Sequence, residues 1–392
     1  MFDLQCNKTD NALTVFLNGR IDSANAAEAE KAITEAIAGF SGELILDAAK
    51  LDYISSAGLR VILRLKKLNK TTRIVNVSSD VYEIFDMTGF TEMMDISKAY
   101  RKISIDGCEV IGEGANGIVY RIDPDTIVKV YKHPDALEEI HNERELARKA
   151  FVMGVPTAIP YDVVQVGERY GSVFELLNAK SFAKLLTEDL SRADELAKES
   201  VEILKTMHAT ELKPGELPDK KEEALVWAAF AQDHLPAEVG GKLMRLFSEI
   251  PQTRNMLHGD FHIKNIERQK DENLLIDMDT LAMGHPIFEF AAIFLAYKGF
   301  SCIDHENVKR FLGIPYDVAD TFWKATLKYY FGTDDPAKLQ EIENKAAIIG
   351  YTRVLRRTMR KATESEDYKA RMIDFCKKTL CELVPQTDNL YF

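Results

Sequence analysis

The stretch EVIGEGANGIVYRIDPDTIVKVY, residues 109–131, places Gly112, Gly114 and Gly117 in a GxGxxG pattern. In a dinucleotide-binding turn the last glycine opens a helix. Here Ile118, Val119, Tyr120, Arg121 and Ile122 continue as a strand, so the pattern specifies a glycine-rich hairpin between two strands. Such a loop lets backbone N–H groups approach phosphates without interference from a Cβ. In the following strand, TIVKVY, Lys129 sits between Val128 and Val130. A charge among β-branched neighbours requires a partner, and this one is placed to hold α- and β-phosphates. The next segment, ALEEIHNERELARKAF, reads as a helix. Glu143, fourteen positions beyond the lysine, is placed to orient it by ion pairing, with Glu145 as the competing choice.

Size and charge bound the remainder. A chain of 392 residues that is 46% hydrophobic exceeds what one core usually serves, so at least two domains are expected. The formal charge of -12 predicts an acidic protein that repels nucleic acid and anionic membrane. Cys6, Cys108, Cys302, Cys376 and Cys381 are scattered and form no CxxC pair, which points to a reducing, cytoplasmic setting. The most apolar run, PIFEFAAIFLAY, carries Glu289 and falls short of the ~20 residues a membrane span needs. The final DNLYF looks like a truncated protease-tag scar, with a natural tail as the alternative, and is set aside from fold reasoning.

Strand-like and helix-like patterns alternate over the first hundred residues: LTVFLNGRI, SANAAEAEKAITEAIAGF, GELILDA, SAGLRVILRLKKLNK, TRIVNVS and VYEIFDMTGF. This predicts a small α/β layer. Asp22 or Ser23 is the expected cap of the first helix, with Ala26, Ala29, Ile33, Ala36 and Ile37 as its buried stripe. In LDYISSAGLRVIL an apolar strand end runs into a helix through Ser55 and Ser56. Serine there serves as an N-cap, or as a phosphate acceptor facing free N–H groups and the positive end of the helix dipole.

The stretch DYISSAGLRVIL resembles the STAS domain of anti-sigma-factor antagonists, over roughly residues 1–100. The resemblance makes Ser56 the candidate phosphosite, while Ser55 stands where several relatives carry an acidic residue.

Further along, MLHGDFHIKNI (256–266) spaces His258 and His262 one helical turn apart, as a zinc protease does. Gly259 follows the first histidine where that motif requires an acidic base, so zinc chemistry is rejected. Phosphoryl transfer needs instead a carboxylate for the nucleophile's proton and oxygen ligands for Mg²⁺. Asp260 is the candidate base, Asn265 offers a side-chain carbonyl, and Asp277 in NLLIDMDTLAMGHP offers the main metal carboxylate. Asp279 serves as an auxiliary ligand or as a structural acid. His258 is expected to fix the loop by hydrogen bonds, and His262 to pack.

HGDFHIKN together with IDMDT resembles the aminoglycoside phosphotransferase and choline kinase group of protein-kinase-like enzymes, over roughly residues 104–384. The resemblance implies that Asp260 is the base, that Asn265 and Asp277 are metal ligands, and that Lys129 and Glu143 form the phosphate-binding pair. It also makes Glu175 to Leu177, in GSVFELLNAKSF, the hinge that offers backbone groups to a purine. His285 and Glu289 in GHPIFEFA stand where relatives often have aspartates, which bears on loop support. The expected organisation is thus an α/β STAS domain (1–100) followed by an α+β two-lobed protein-kinase-like fold. Its N-lobe covers 104–178 and its C-lobe 179–384, with a tail at 385–392.

GYTRVLRRTMRKATE puts Arg353, Arg356, Arg357, Arg360 and Lys361 at helical spacing, either as a solvated face or as a patch for an anionic substrate or acidic partner. The expected function is ATP- or GTP- and Mg²⁺-dependent transfer of the γ-phosphoryl group to a small-molecule hydroxyl. A serine kinase acting on Ser56 of its own or a partner STAS domain, and a nucleotide-switched STAS binding module without turnover, are the alternatives, with a STAS or anti-sigma-type protein as the expected protein partner. Neither nucleic acid nor membrane is expected as a partner.

Overall fold

The computed structural model describes every residue except 1, 2, 10, 41, 115 and 361–364, and the side chains of 3 and 4 are likewise left aside. The chain divides into two compact units. One gathers residues 1–104 with 163–168, the other 105–162 with 169–392.

The first unit contains β1 (Asp3–Lys8), β2 (Ala12–Ile21), α1 (Ala26–Ile37), β3 (Glu43–Ile54), α2 (Ser56–Leu68), β4 (Arg73–Val77), α3 (Ser79–Met87), α4 (Phe90–Met93), β5 (Ile96–Lys98) and β6 (Arg101–Lys102). The first five strands form one sheet in chain order, β1 antiparallel to β2 and the rest parallel. Alternation drives β2: Leu13, Val15 and Leu17 are fully or almost fully buried, while Thr14 and Phe16 between them are partly exposed. In α1 only Ala26, Ala29 and Ile33 of the expected stripe are buried. Its expected side-chain cap is absent, because the Asp22 carboxylate accepts from the Ala24 N–H (2.9 Å) and Asn25 holds the cap position without a side-chain cap bond.

The second unit opens with β7 (Glu109–Glu113), β8 (Gly117–Asp123), β9 (Thr126–Tyr131), α5 (Leu137–Val152) and the start of β10 (Pro160–Val166), whose residues from 163 count with the first unit, and continues with β11 (Arg169–Glu175). Strands β11, β9, β8 and β7 lie side by side in that order, antiparallel. Next come β12 (Lys180–Ser181), α6 (Phe182–Glu188), α7 (Ala193–Ala209), α8 (Lys220–Gln232), α9 (Ala237–Ser248), β13 (Met256–Leu257), β14 (Ile266–Gln269), β15 (Glu272–Leu275) and β16 (Ala282–Met283). The helices α10 (Ile287–Tyr297), α11 (Glu306–Leu312), α12 (Tyr316–Phe331), α13 (Pro336–Arg360) and α14 (Glu366–Leu383) complete it. Helix α10 is the axis of this helical part: every residue but Ala292 is buried, including Glu289.

The tail behaves as part of the fold. Leu390 is fully buried, Lys345 Nζ donates to Asn389 Oδ1 (3.0 Å) and to the Tyr391 carbonyl (2.8 Å), and the Phe392 ring lies 4.7 Å from that of Phe331. Two aromatic rings and a leucine in five residues supply enough apolar surface to dock. Among the described residues, no helix is long and apolar enough to cross a membrane.

Candidate functional site

Alternation along β9 sends Val128 and Val130 into the core and leaves Lys129 and Tyr131 together on the other face. Helix α5 faces them with the stripe Ile140, Glu143, Ala147 and Ala150, in which Glu143 is the one charged member. Lys129 Nζ donates to both Glu143 oxygens (2.9 and 3.0 Å) and to Asp277 Oδ1 (3.1 Å). Burial opposes charge on the lysine, but the two carboxylates outweigh it and raise its pKa. Glu145, the competing choice, is exposed and pairs with Arg148 and Lys149 along its own helix. Tyr131, unforeseen in the sequence, donates its hydroxyl to Glu143. Its position two residues beyond Lys129 was the available signal.

The glycine hairpin divides by cause. A Cβ on Gly117 would lie 2.7 Å from the Val130 carbonyl oxygen, so strand packing demands a glycine there. A Cβ on Gly112 or Gly114 would meet no atom closer than 3.8 Å among the described residues, chain neighbours aside, so strand packing does not demand a glycine at either position. Asn116 Nδ2 reaches Asp279 Oδ2 at 3.4 Å. The Asp279 carboxyl is pushed up to about 7 by burial and then by the neighbouring Asp277 and Glu143.

Strand β13 delivers the HGDFHIKN stretch, which is loop and turn in place of the helix that a zinc motif would need. Among the described residues no group of three or more His, Cys, Asp and Glu side chains is arranged to hold a metal. Glu289, buried on α10, accepts from the backbone N–H groups of His258 and Gly259, the latter at 3.0 Å. Gly259 has φ +83, and a Cβ there would lie 2.4 Å from the Thr280 carbonyl oxygen, so only glycine fits. Thr280 Oγ1 donates to the His258 carbonyl (2.8 Å), and the Ile263 N–H donates to the Tyr297 hydroxyl (3.1 Å). His258 Nδ1 accepts from the Asp260 N–H (3.4 Å), while its Nε2 lies 3.2 Å from the Ile276 carbonyl. The loop is therefore held at several points.

Asp260 projects from this frame with its carboxylate half exposed. Burial raises its pKa, but His262, whose Nε2 lies 3.4 Å from Oδ2, outweighs that together with His258 and Arg353, and the carboxyl is held below its usual range. His262 packs edge-on against Phe311 (5.0 Å) and also makes this polar contact, which the packing expectation did not include. Asn265 Nδ2 donates to the Asp260 carbonyl (3.0 Å), leaving the amide oxygen for another partner. The Ile276 N–H donates to the Asn265 carbonyl (3.0 Å), which sets Asp277 beside it. Asp277 itself adopts φ 64, ψ 62, a left-handed conformation costing a non-glycine residue on the order of 1–3 kcal/mol. Side-chain oxygens of an amide and a carboxylate are the hard donors that Mg²⁺ takes.

At the expected hinge, the Leu176 N–H donates to the Asp125 carbonyl (2.7 Å) and Glu175 binds Ile159 through both its N–H and its side chain. The Leu177 N–H has no hydrogen-bond partner among the described residues. In the first unit Ser55, not Ser56, is the cap of α2, accepting from the Gly58 N–H (3.4 Å), and Ser56 is exposed. The cationic helix splits: the Arg353 guanidinium is half-buried 5.5 Å over Trp227, whereas Arg357 is exposed over Phe300 and Arg360 is exposed. Lys361 lies outside the described residues.

A paired lysine, an open glycine hairpin and an acidic loop on one kinase-like scaffold serve phosphoryl transfer, and the second unit belongs to that class of fold. Comparison with known proteins carries this further. Residues 107–322, more than half of the chain, match the Phosphotransferase enzyme family (APH), and the chain belongs to that family. It is a kinase, a phosphotransferase with an alcohol group as acceptor. Residues 3–103 match the STAS domain. Over 100 residues the chain is 31% identical to the putative anti-sigma factor antagonist BtrV of Bordetella bronchiseptica, covering 24% of this chain and 86% of that protein. Among solved structures, ADP-bound aminoglycoside phosphotransferase APH(2'')-Ib aligns with a TM-score of 0.47 at 16% identity, covering 77% of this chain and 98% of that one. A thermostable mutant of APH(4)-Ia in its apo form aligns with a TM-score of 0.49 at 12% identity, covering 72% and 97%.

Proposed function

We propose that this kinase uses ATP and Mg²⁺ to phosphorylate the hydroxyl of a small molecule, with the STAS domain as its regulatory unit. The observation that supports the proposal is the Lys129–Glu143 ion pair with Asp277 beside the lysine, because kinase-like phosphoryl transfer depends on such a lysine–glutamate pair. In this reading Lys129 binds α- and β-phosphates, oriented by Glu143, and the backbone at Gly112 and Gly114 approaches the phosphates where a side chain would obstruct them. The hinge at Glu175 to Leu177 meets the purine of ATP or GTP through the Leu177 N–H. Asn265 and Asp277 hold Mg²⁺, which neutralises phosphate charge when bound. Asp260 accepts the proton of the acceptor hydroxyl as its oxygen bonds to the γ-phosphorus and the bond to the β-bridging oxygen breaks, giving ADP and a phosphate ester. Five unpaired cysteines support a reducing cytoplasm as its setting.

The test is calorimetric titration of the full chain with a non-hydrolysable ATP analogue, with and without Mg²⁺, beside Lys129→Met. Mg²⁺-dependent binding that weakens at least tenfold in the variant is expected; equal affinity for both proteins would remove the nucleotide site from this position. A second reading is favoured by one observation. With the cap supplied by Ser55, the exposed Ser56 hydroxyl is free to accept phosphate, and peptide mass spectrometry after incubation with Mg²⁺ and ATP reads its mass directly.

A further inference from the structure

The Lys129–Glu143 pair has a third member. Tyr131 lies two residues beyond Lys129 on the same face of β9 and is almost fully buried. Its hydroxyl donates to Glu143 Oε2, an oxygen that also accepts from Lys129 Nζ (3.0 Å). Lys129 Nζ lies 5.2 Å from the centroid of the tyrosine ring, within the reach of a cation–π contact. One side chain thus touches both partners of the pair.

Glu143 needs such a contact. It is buried on α5, and among the described residues its carboxylate has two side-chain partners, Lys129 and Tyr131. A buried carboxylate offers several acceptor sites, and leaving them without donors is costly. A second cation would compete with Lys129 for the carboxylate. A phenol supplies a hydrogen bond and no charge. Burial, and then Glu143 itself, raises the Tyr131 pKa, so the hydroxyl stays a donor. Its support matters most with nucleotide bound as proposed, because Lys129 then turns from Asp277 toward phosphate. Glu143 is left to hold the lysine, and Tyr131 to hold Glu143.

We infer that Tyr131 is a positioning residue for nucleotide binding: its hydroxyl and ring keep Glu143 and Lys129 in the geometry that receives the α- and β-phosphates. This role rests on the phosphate binding proposed for Lys129. Tyr131 keeps its proton throughout and takes part in no covalent step.

Calorimetric titration of the full chain with a non-hydrolysable ATP analogue and Mg²⁺ tests this in a double-mutant cycle of Tyr131→Phe, Lys129→Met and the two combined. Tyr131→Phe keeps the ring and removes the donor. Affinity should fall by about 5- to 30-fold, part of the loss expected of a hydrogen bond to a charged group. In the Lys129→Met background the same change should alter affinity less than about twofold, because the lysine it positions is gone. Tyr131→His, whose imidazole still donates but reaches less far, carries the same cycle should the phenylalanine variant not fold, with a smaller loss expected. Melting temperatures separate positioning from packing. A Tyr131→Phe protein that melts lower yet binds the analogue as tightly as the wild type would overturn the inference, as would equal weakening in both backgrounds. Unchanged affinity in Lys129→Met alone would strike instead at the nucleotide site beneath it.

Discussion

Two places in this molecule are proposed to present an oxygen for phosphate chemistry, Ser56 and Asp260, and they are built in opposite ways. At the start of α2 a single side-chain bond, from the Gly58 N–H to Ser55, fixes the backbone and leaves Ser56 exposed. At Asp260 the loop is fastened by Glu289, Thr280 and Tyr297, drawn from segments far along the chain. A hydroxyl that only accepts phosphate needs access, which a local cap provides. A carboxylate that must receive a proton at a fixed place needs its neighbours immobilised, and that takes buried, fully partnered groups.

If this contrast holds, damage to the two supports should differ in size. Glu289→Ala leaves the His258 and Gly259 N–H groups without a buried acceptor, each a loss of roughly 1–3 kcal/mol, so denaturant unfolding should show a drop on the order of 3 kcal/mol together with loss of turnover. A drop under 1 kcal/mol would mean that water replaces the carboxylate and the loop is less dependent on burial than described.

The same part of the molecule should carry an acid-side weakness. Burial lowers the His285 imidazole from 6.5 to about 4. The folded state therefore resists a proton that the unfolded chain takes up. His285 contributes stability above pH 6.5 that is lost as pH falls toward 4, with a slope of about 1.4 kcal/mol per pH unit. Melting curves across that window, beside His285→Gln, should show the slope flatten in the variant. The smallest effects belong to the first unit. Ser55→Ala should cost about 1 kcal/mol through the lost cap, and Ser56→Ala less than about 0.5 kcal/mol; a reversal of that order would mean that the cap is misassigned.

Much of this was readable where the determinants are close in sequence. The order Asp260, Asn265, Asp277 lies within a short span, and β-branched alternation around Lys129 identifies its strand. Burial decides what spacing left open: Glu143 lies on the apolar stripe of α5, and Glu145 does not. Three features depend on packing between distant segments, and their partners could not be read locally. The family resemblance tied Glu289 to loop support, but which backbone groups its carboxylate holds shows only in the packing. Arg353 is one of several similar arginines until its packing over Trp227 singles it out. The DNLYF tail counts as structure only because the helical part offers its rings a place to dock.

The most direct test of the central claim is the rate of γ-phosphoryl transfer from labelled ATP, followed to small-molecule and protein products alike, for the wild type and Asp260→Asn at saturating Mg²⁺. The account predicts transfer by the wild type and a fall of about 10²–10⁴-fold in the variant, with its melting temperature and nucleotide affinity retained. Equal transfer rates in the two proteins would contradict it.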